Sequence, residues 1–379
     1  MNRKIADIEW LRGVSILFVV IFHARPVLIP WPEPLWDHIA VNYVDFMSGV
    51  DIFLAVSGFV IARTLLPQLA AAHDATGFLR IALAFWVRRA WRLLPAAWLW
   101  LAIILVCAAI FNRSGAFQSF HTNFEATLAA MLSIANYRFG ISWFRFDYGA
   151  STPYWSLSLE EQFYAALPFA AYVLRRRLAW VLILLLAAVF CLPPTFMVRV
   201  FRIHPIILGV LLAMASHSPA WALTEPRFMR NRLAAGLTQF GLLAAIAAVS
   251  PFDQRITAMP FDVIAVLSAL LVLIAAHDRD YLCGQGTLRR VMLWLGSRSY
   301  AIYLSHDPSF FATREIWFRW GGGLPPRPDK LFLATALLLI FAGAELTYRL
   351  VERPCRRHGA RIATAMLAAP FNPAPESPA

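Results

Sequence analysis

Charge is scarce in this chain: Asp, Glu, Lys and Arg make up 15% of its 379 residues, against 60% hydrophobic ones. A soluble domain carries about a quarter charged residues and somewhat under half apolar ones. No packed core absorbs that excess, so a soluble globular fold is excluded, and disorder, coiled coil and collagen fail on the same numbers. Cysteine is also sparse. Cys107, Cys191, Cys283 and Cys355 are scattered without metal-like or pairing spacing, so neither a disulfide framework nor a bound metal is expected. Every basic residue except Lys4 and Lys330 is arginine, and no basic/aromatic module repeats, which argues against nucleic-acid binding. A Gly-rich phosphate loop, a His-x-x-Glu-His motif and a nucleophile elbow are all missing, which removes support for ATP hydrolysis, metalloprotease and serine hydrolase chemistry.

What is present is a series of long apolar runs and a mean hydropathy of +0.60. A membrane helix needs about 20 mostly apolar residues. Segments meeting or nearing that length fall at 8–28, 46–66, 93–111, 158–174, 178–195, 199–215, 233–250, 259–276, 291–311 and 331–351. The expected fold is therefore an all-α polytopic membrane protein of about ten transmembrane helices. With the amino terminus cytoplasmic, about two thirds of the 34 basic residues fall inside, in keeping with the positive-inside rule. Both termini are then cytoplasmic, and the net charge of +12 is largely a topology signal. Counting 126–137 as a crossing would put the run Arg175-Arg176-Arg177 outside, so that stretch reads as a short re-entrant or interfacial piece. The first run carries Arg12, lacks a small-x-small cleavage site and reads as a retained helix rather than a signal peptide. Residues 1–358 form the expected membrane domain, and 359–379 read as a Pro-rich, disordered cytoplasmic tail.

Ionisable groups inside spans are costly and are functional candidates by default. On this topology they form two layers. His23, Asp51, Glu160, Glu161, Arg202, His306 and Asp307 lie toward the outer face; Arg12, Arg63, Arg88, Arg89, Arg92, Arg298 and Glu345 lie toward the cytoplasm. Arg12 and His23 share one face of the first span, about 16 Å apart along the axis, a span comparable to an acyl-pantetheine arm. The alternative is an anchoring arginine and a packing histidine. Asp51 enters the second span at the depth of His23 and is a candidate to orient its imidazole; it is equally a helix-start aspartate favoured by the dipole. Glu160 and Glu161 point about 100° apart, so one faces the bundle and the other the interface. Arg88, Arg89 and Arg92 suit phosphates by bidentate hydrogen bonding, or anchor the helix in anionic lipid. Ser57-Gly58 reads as close helix packing rather than a nucleophile.

These pieces together resemble the acyltransferase-3 family of bacterial integral-membrane O-acyltransferases. Arg12 with His23 looks like its Arg–ten residues–His element, and Gly49-Val50-Asp51-Ile52-Phe53 through Gly58-Phe59 resembles its second-span signature. Arg88-Arg89 with Arg92 and Pro95 resembles its basic third-span entry. Asn136-Tyr137, the 155–164 stretch, Arg202 with Gly209, Gly296 through Pro308, and 345–354 are similar to further elements in the same order. Ser305-His306-Asp307 departs from the pattern, in which a Trp commonly flanks the histidine. The resemblance implies transfer of an acyl group, most often acetyl, from cytoplasmic acetyl-CoA to a hydroxyl of an extracytoplasmic glycan or glycolipid, in a bacterial inner membrane. It implies His23, Asp51 and Glu160 in catalysis and Arg12, Arg88, Arg89 and Arg92 at the donor, with Arg202 and His306 as acceptor-binding candidates. Members with a fused extracellular domain are longer than this chain. A transporter or flippase using the same buried charges is the rival expectation.

Overall fold

The computed structural model describes residues 5–29, 42–72, 74–143, 145–192, 200–251, 259–320 and 330–368, together with isolated positions between them. Helices α1 (Ala6–His23), α2 (Gly49–Ala70), α3 (Ala75–Ile110), α4 (Phe120–Met131), α5 (Ala135–Ser142), α6 (Tyr154–Leu174) and α7 (Leu178–Phe190) come first. After them run α8 (His204–Ala215), α9 (Arg232–Val249), α10 (Met259–Ala276), α11 (Gly286–Trp320), α12 (Lys330–Thr347) and α13 (Arg353–Ala368). No strand occurs among the described residues. Five helical stretches there are long and apolar enough to cross a membrane: Ala6–Leu28, Gly49–Ala70, Ala75–Ile110, Arg232–Val249 and Lys330–Ala368.

Several expected boundaries move. The cytoplasmic loop expected before the third span is helical, because α3 runs unbroken for 36 residues. Its Ala, Leu and Arg are strong helix formers, and the Asp74 side chain caps it by accepting from Gly77 N at 2.8 Å. The ambiguous stretch at 126–137 resolves into parts of α4 and α5, of 12 and 8 residues, too short to cross. The boundary expected at 358/359 falls inside α13, which stays helical to Ala368; residues 369–379 lie outside the described residues.

Beside its buried apolar core, the bundle departs from a soluble protein at its surface and in its buried polar groups. Large apolar side chains such as Val173, Trp180, Leu184, Phe240 and Leu338 are exposed, while Asp51, Arg202, His204, His306 and Asp307 are buried. That pattern suits a bundle bathed in lipid, whose polar groups must find partners inside. The helix pairs with the most extensive contacts are α2 with α8, α1 with α11, and α3 with α13. The second pair sets the site. Gly296 of α11 lies against the backbone carbonyl of Glu9, where a Cβ would overlap it, so α1 and α11 run in close contact. That approach carries His23, at the end of α1, against His306 of α11. A π-turn, Ala24–Leu28, follows His23 directly.

Candidate active site

Two polar constellations share a wall. The first is a histidine pair. His23 Nδ1 lies 2.7 Å from His306 Nε2, with the rings stacked at 24° and 4.9 Å between centroids. His306 Nδ1 lies 2.7 Å from the backbone carbonyl of Tyr303. A carbonyl only accepts, so His306 donates from Nδ1 and, when neutral, offers the lone pair of Nε2. His23 then donates from Nδ1, which leaves the lone pair of its Nε2 without a partner among the described residues. The chain of bonds thus assigns the tautomer that a general base needs. Asp307 Oδ1, buried and without a hydrogen bond among the described residues, sits 3.3 Å from His306 Nε2 and 3.7 Å from His23 Nδ1. A carboxylate there favours an imidazolium on either ring. Single ligand atoms of His23, His306 and Asp307 converge within 4.8 Å, a spacing that would accept a metal ion. In this arrangement the two facing nitrogens are already bonded to each other, which favours proton relay over coordination.

The second constellation lines a cavity of about 90 Å³ between α1, α2, α3, α6 and α11. Arg12, Arg89 and Arg92 supply positive charge there, and Glu160 and Tyr164 face them. Arg12 Nε donates to Ser299 Oγ at 3.2 Å, and the Arg89 guanidinium lies 5.0 Å above the Tyr164 ring. The Tyr164 hydroxyl donates to Glu160 Oε2 at 2.8 Å and lies 2.9 Å from Ser57 Oγ. Arg92 Nε is buried with no hydrogen-bond partner among the described residues. A buried guanidinium with an unused donor is costly, and an anion entering the cavity would satisfy it. Tyr303 joins the two constellations: its side chain lines the cavity, its carbonyl holds His306, and its ring lies 5.6 Å from the His306 ring.

Not every expected residue arrives here. Asp51 does not reach His23. It accepts from Arg202 Nη1 at 3.0 Å, and the Arg202 guanidinium lies 4.6 Å from the Phe261 ring and 5.4 Å from the Trp155 ring. The reason is helical phase. Asp51, Ala55 and Gly58 share the face of α2 that meets α8, whereas Val50, Phe53, Leu54 and Ser57 face the cavity. Arg202 is accordingly occupied by Asp51 and is not a free acceptor-binding cation. Glu160 belongs to the arginine cavity rather than to His23. Glu161 diverges from it and accepts from Ser133 Oγ at 2.7 Å. Arg88 does not line the cavity; its Nε donates to Ala84 O in its own helix at 3.2 Å. His306, an expected acceptor contact, is instead the hydrogen-bond partner of His23. Tyr303, Ser299 and Tyr164 were not singled out as site residues by their sequence pattern, though Tyr303 stands one turn before His306. Asp307 was visible as a buried ionisable group without an assigned role.

A model of the acyltransferase domain of the acyltransferase-3 type matches residues 5–345. The chain belongs to this family. It is 28% identical to YrhL of Bacillus subtilis strain 168, provisionally named a peptidoglycan O-acetyltransferase, over 95% of this chain and 56% of YrhL. It is 24% identical to the peptidoglycan O-acetyltransferase OatA of Listeria monocytogenes strain EGD-e, over 94% of this chain and 57% of OatA. The chain thus spans little more than half the length of these relatives. No solved structure matches it. Membership of this acyltransferase family, with several apolar helices long enough to cross, makes it a multi-pass membrane protein.

Proposed function

We propose that this acyltransferase-family chain is an O-acyltransferase of the bacterial inner membrane, moving an acetyl group from cytoplasmic acetyl-CoA to a hydroxyl of an extracytoplasmic glycan. Peptidoglycan is the acceptor named in its relatives and the first to try. About ten crossings with both termini cytoplasmic would put the arginine cavity toward the cytoplasm and His23 toward the outer face. The observation that carries the reading is the shared wall at Tyr303. It sets a cationic cavity, suited to phosphates, beside a histidine whose tautomer leaves Nε2 free.

In the reaction the donor's diphosphate meets Arg12, Arg89 and Arg92, and the thioester extends toward His23. The acceptor hydroxyl gives its proton to His23 Nε2 as its oxygen attacks the thioester carbonyl. The C–S bond breaks, an ester forms, and the departing thiolate takes the proton back from the imidazolium. Asp307, near both rings, stabilises that imidazolium while it exists. Glu160 and Tyr164 position Arg89 and Arg12 rather than touch the acceptor.

The test is His23→Ala in the purified full chain, supplied with acetyl-CoA and soluble peptidoglycan fragments, with ester counted by mass spectrometry. Loss of turnover by roughly 10²-fold or more is expected for a general base. Near-normal turnover would refute the assignment, and substrate flux across proteoliposomes without ester would point to a transporter.

A further inference from the structure

A second cationic site lies outside the cavity. Helix α13 packs along α3, and between them opens a groove of about 610 Å³ lined by Trp91, Arg349, Arg353, Arg357, His358 and Arg361. The four arginines recur every fourth residue, which lines them up as one stripe with about 6 Å between neighbours. Arg349 is paired with Glu345. Arg353, Arg357 and Arg361 are exposed and make no ion pair or hydrogen bond among the described residues. At the end of the stripe an aromatic surface is available. Trp91 is 37% exposed, with the His358 ring edge-on at 4.6 Å.

The groove is built rather than incidental. Gly359 lies directly against Trp91, so that any Cβ there would overlap the Trp91 Cβ, and α13 can dock at this depth only with glycine in place. The following residue of α3, Arg92, lines the central cavity and carries the buried Nε that lacks a partner. Groove and cavity therefore open on two sides of the same turn of α3. A ligand with a flat ring and a phosphate at one end, a diphosphate in the middle and a narrow arm at the other matches both spaces.

We propose that the α3–α13 groove holds the nucleotide end of the acyl-CoA donor. The adenine lies against Trp91 and the 3′-phosphate on Arg353, Arg357 and Arg361, which leaves the diphosphate to Arg12, Arg89 and Arg92 of the cavity. This rests on the acyl-CoA reading above, and assigns the nucleotide to a part of the chain that contributes nothing to the arginine cavity. Three guanidinium groups, unpaired among the described residues, suit the doubly charged 3′-phosphate in sign and in hydrogen-bonding capacity.

The experiment compares acetyl-CoA, acetyl-dephospho-CoA and acetyl-pantetheine as donors for wild type, Arg353→Ala/Arg357→Ala, Arg357→Lys and Trp91→Leu, each as the full chain in detergent. For the double variant the KM for acetyl-CoA is expected to rise about tenfold at nearly unchanged kcat, less for the dephospho donor and not for acetyl-pantetheine. Arg357→Lys should fall between. A KM that is unchanged, or that shifts equally for all three donors, overturns the proposal. So does an unchanged KM accompanied by lost binding to phosphatidylglycerol vesicles, which would give the stripe to lipid head groups. If wild type forms ester from none of the thioesters, the donor reading fails and takes this proposal with it. Wild-type transfer with a donor-independent KM sinks the groove alone.

Discussion

Replacing His306 removes the acceptor that holds His23 in its basic tautomer. In His306→Ala the Nδ1–H of His23 is left facing the buried Tyr303 side of the bundle, with only Asp307 Oδ1 at 3.7 Å in reach. Leaving a buried donor unsatisfied costs about 1–3 kcal/mol. His23 can recover part of this by moving its proton to Nε2, but Nε2 is the atom that must accept the acceptor's proton. At about 2–3 kcal/mol the loss corresponds to roughly 30- to 150-fold in kcat. The KM for the donor should change little, because the arginine cavity does not include His306. His306→Gln separates two ways in which the residue can act. A Gln amide can accept from His23 with its oxygen and donate toward the Tyr303 carbonyl with its nitrogen, but it cannot carry a proton. Retention of most activity in His306→Gln, against the loss in His306→Ala, identifies a positioning residue; equal loss in both identifies a proton carrier. The assay is single-turnover ester formation across pH, since a lost tautomer lock lowers the plateau whereas a lost proton carrier also reshapes the profile. Wild-type rates in both variants would refute the bonded pair as the origin of basicity.

The Asp51–Arg202 pair is predicted to be structural: Asp51→Asn removes a charged partner of the buried Arg202 guanidinium and should lower the thermal midpoint in detergent, while Asp51→Leu with Arg202→Met recovers much of it. Failure of the double variant to improve on the single one would deny the pairing. Arg92→Ala is expected to raise the donor KM, whereas Arg88→Ala, which lies off the cavity, should leave it unchanged; equal effects would mean that topology anchoring explains both. Glu315, past the outer end of the expected crossing, is pushed up by burial but pulled down further by hydrogen bonds from Ser114, Arg319 and the backbone N–H groups of Ser114 and Arg113, to about 2. Its folded carboxyl is therefore depressed, so it stabilises the fold fully above its ordinary value of 4.5 and loses that contribution as pH falls toward 2. Thermal midpoints measured between those limits should fall more steeply in wild type than in Glu315→Gln, and parallel curves would count against it.

Helical class and polar positions were legible because each rests on a local property. An apolar run of given length has few stable forms in lipid, and an intramembrane His or Arg stands out from its neighbours. Helix ends were less legible. The start of α3 at Ala75 depends on a cap by Asp74 and on strong helix formers in a segment too charged to read as a span. The continuation of α13 to Ala368 depends on packing against α3, which a composition window does not see.

Partner choice depends on helical phase between elements far apart in the chain, and there depth alone misleads. Asp51 and His23 do lie at similar depth in the sequence reading, yet Asp51 turns with Ala55 and Gly58 toward α8 and finds Arg202. His23 is met instead by a residue 283 positions away. That meeting follows from Gly296, which lets α11 approach the backbone of α1 at Glu9, close to one end of α1, and thereby fixes which residue of α11 stands at the other. Gly13 meets the Met292 carbonyl in the same way, which sets Gly13 level with Gly296; from Gly13 to His23 and from Gly296 to His306 is 10 residues each, about 15 Å of rise, so the two histidines arrive level and bond at 2.7 Å. A small-residue contact at one end of a helix pair therefore acts on the chemistry at the other. Enlarging Gly296 should displace His23 from His306 without touching either, and lower kcat more than it lowers the yield of folded protein.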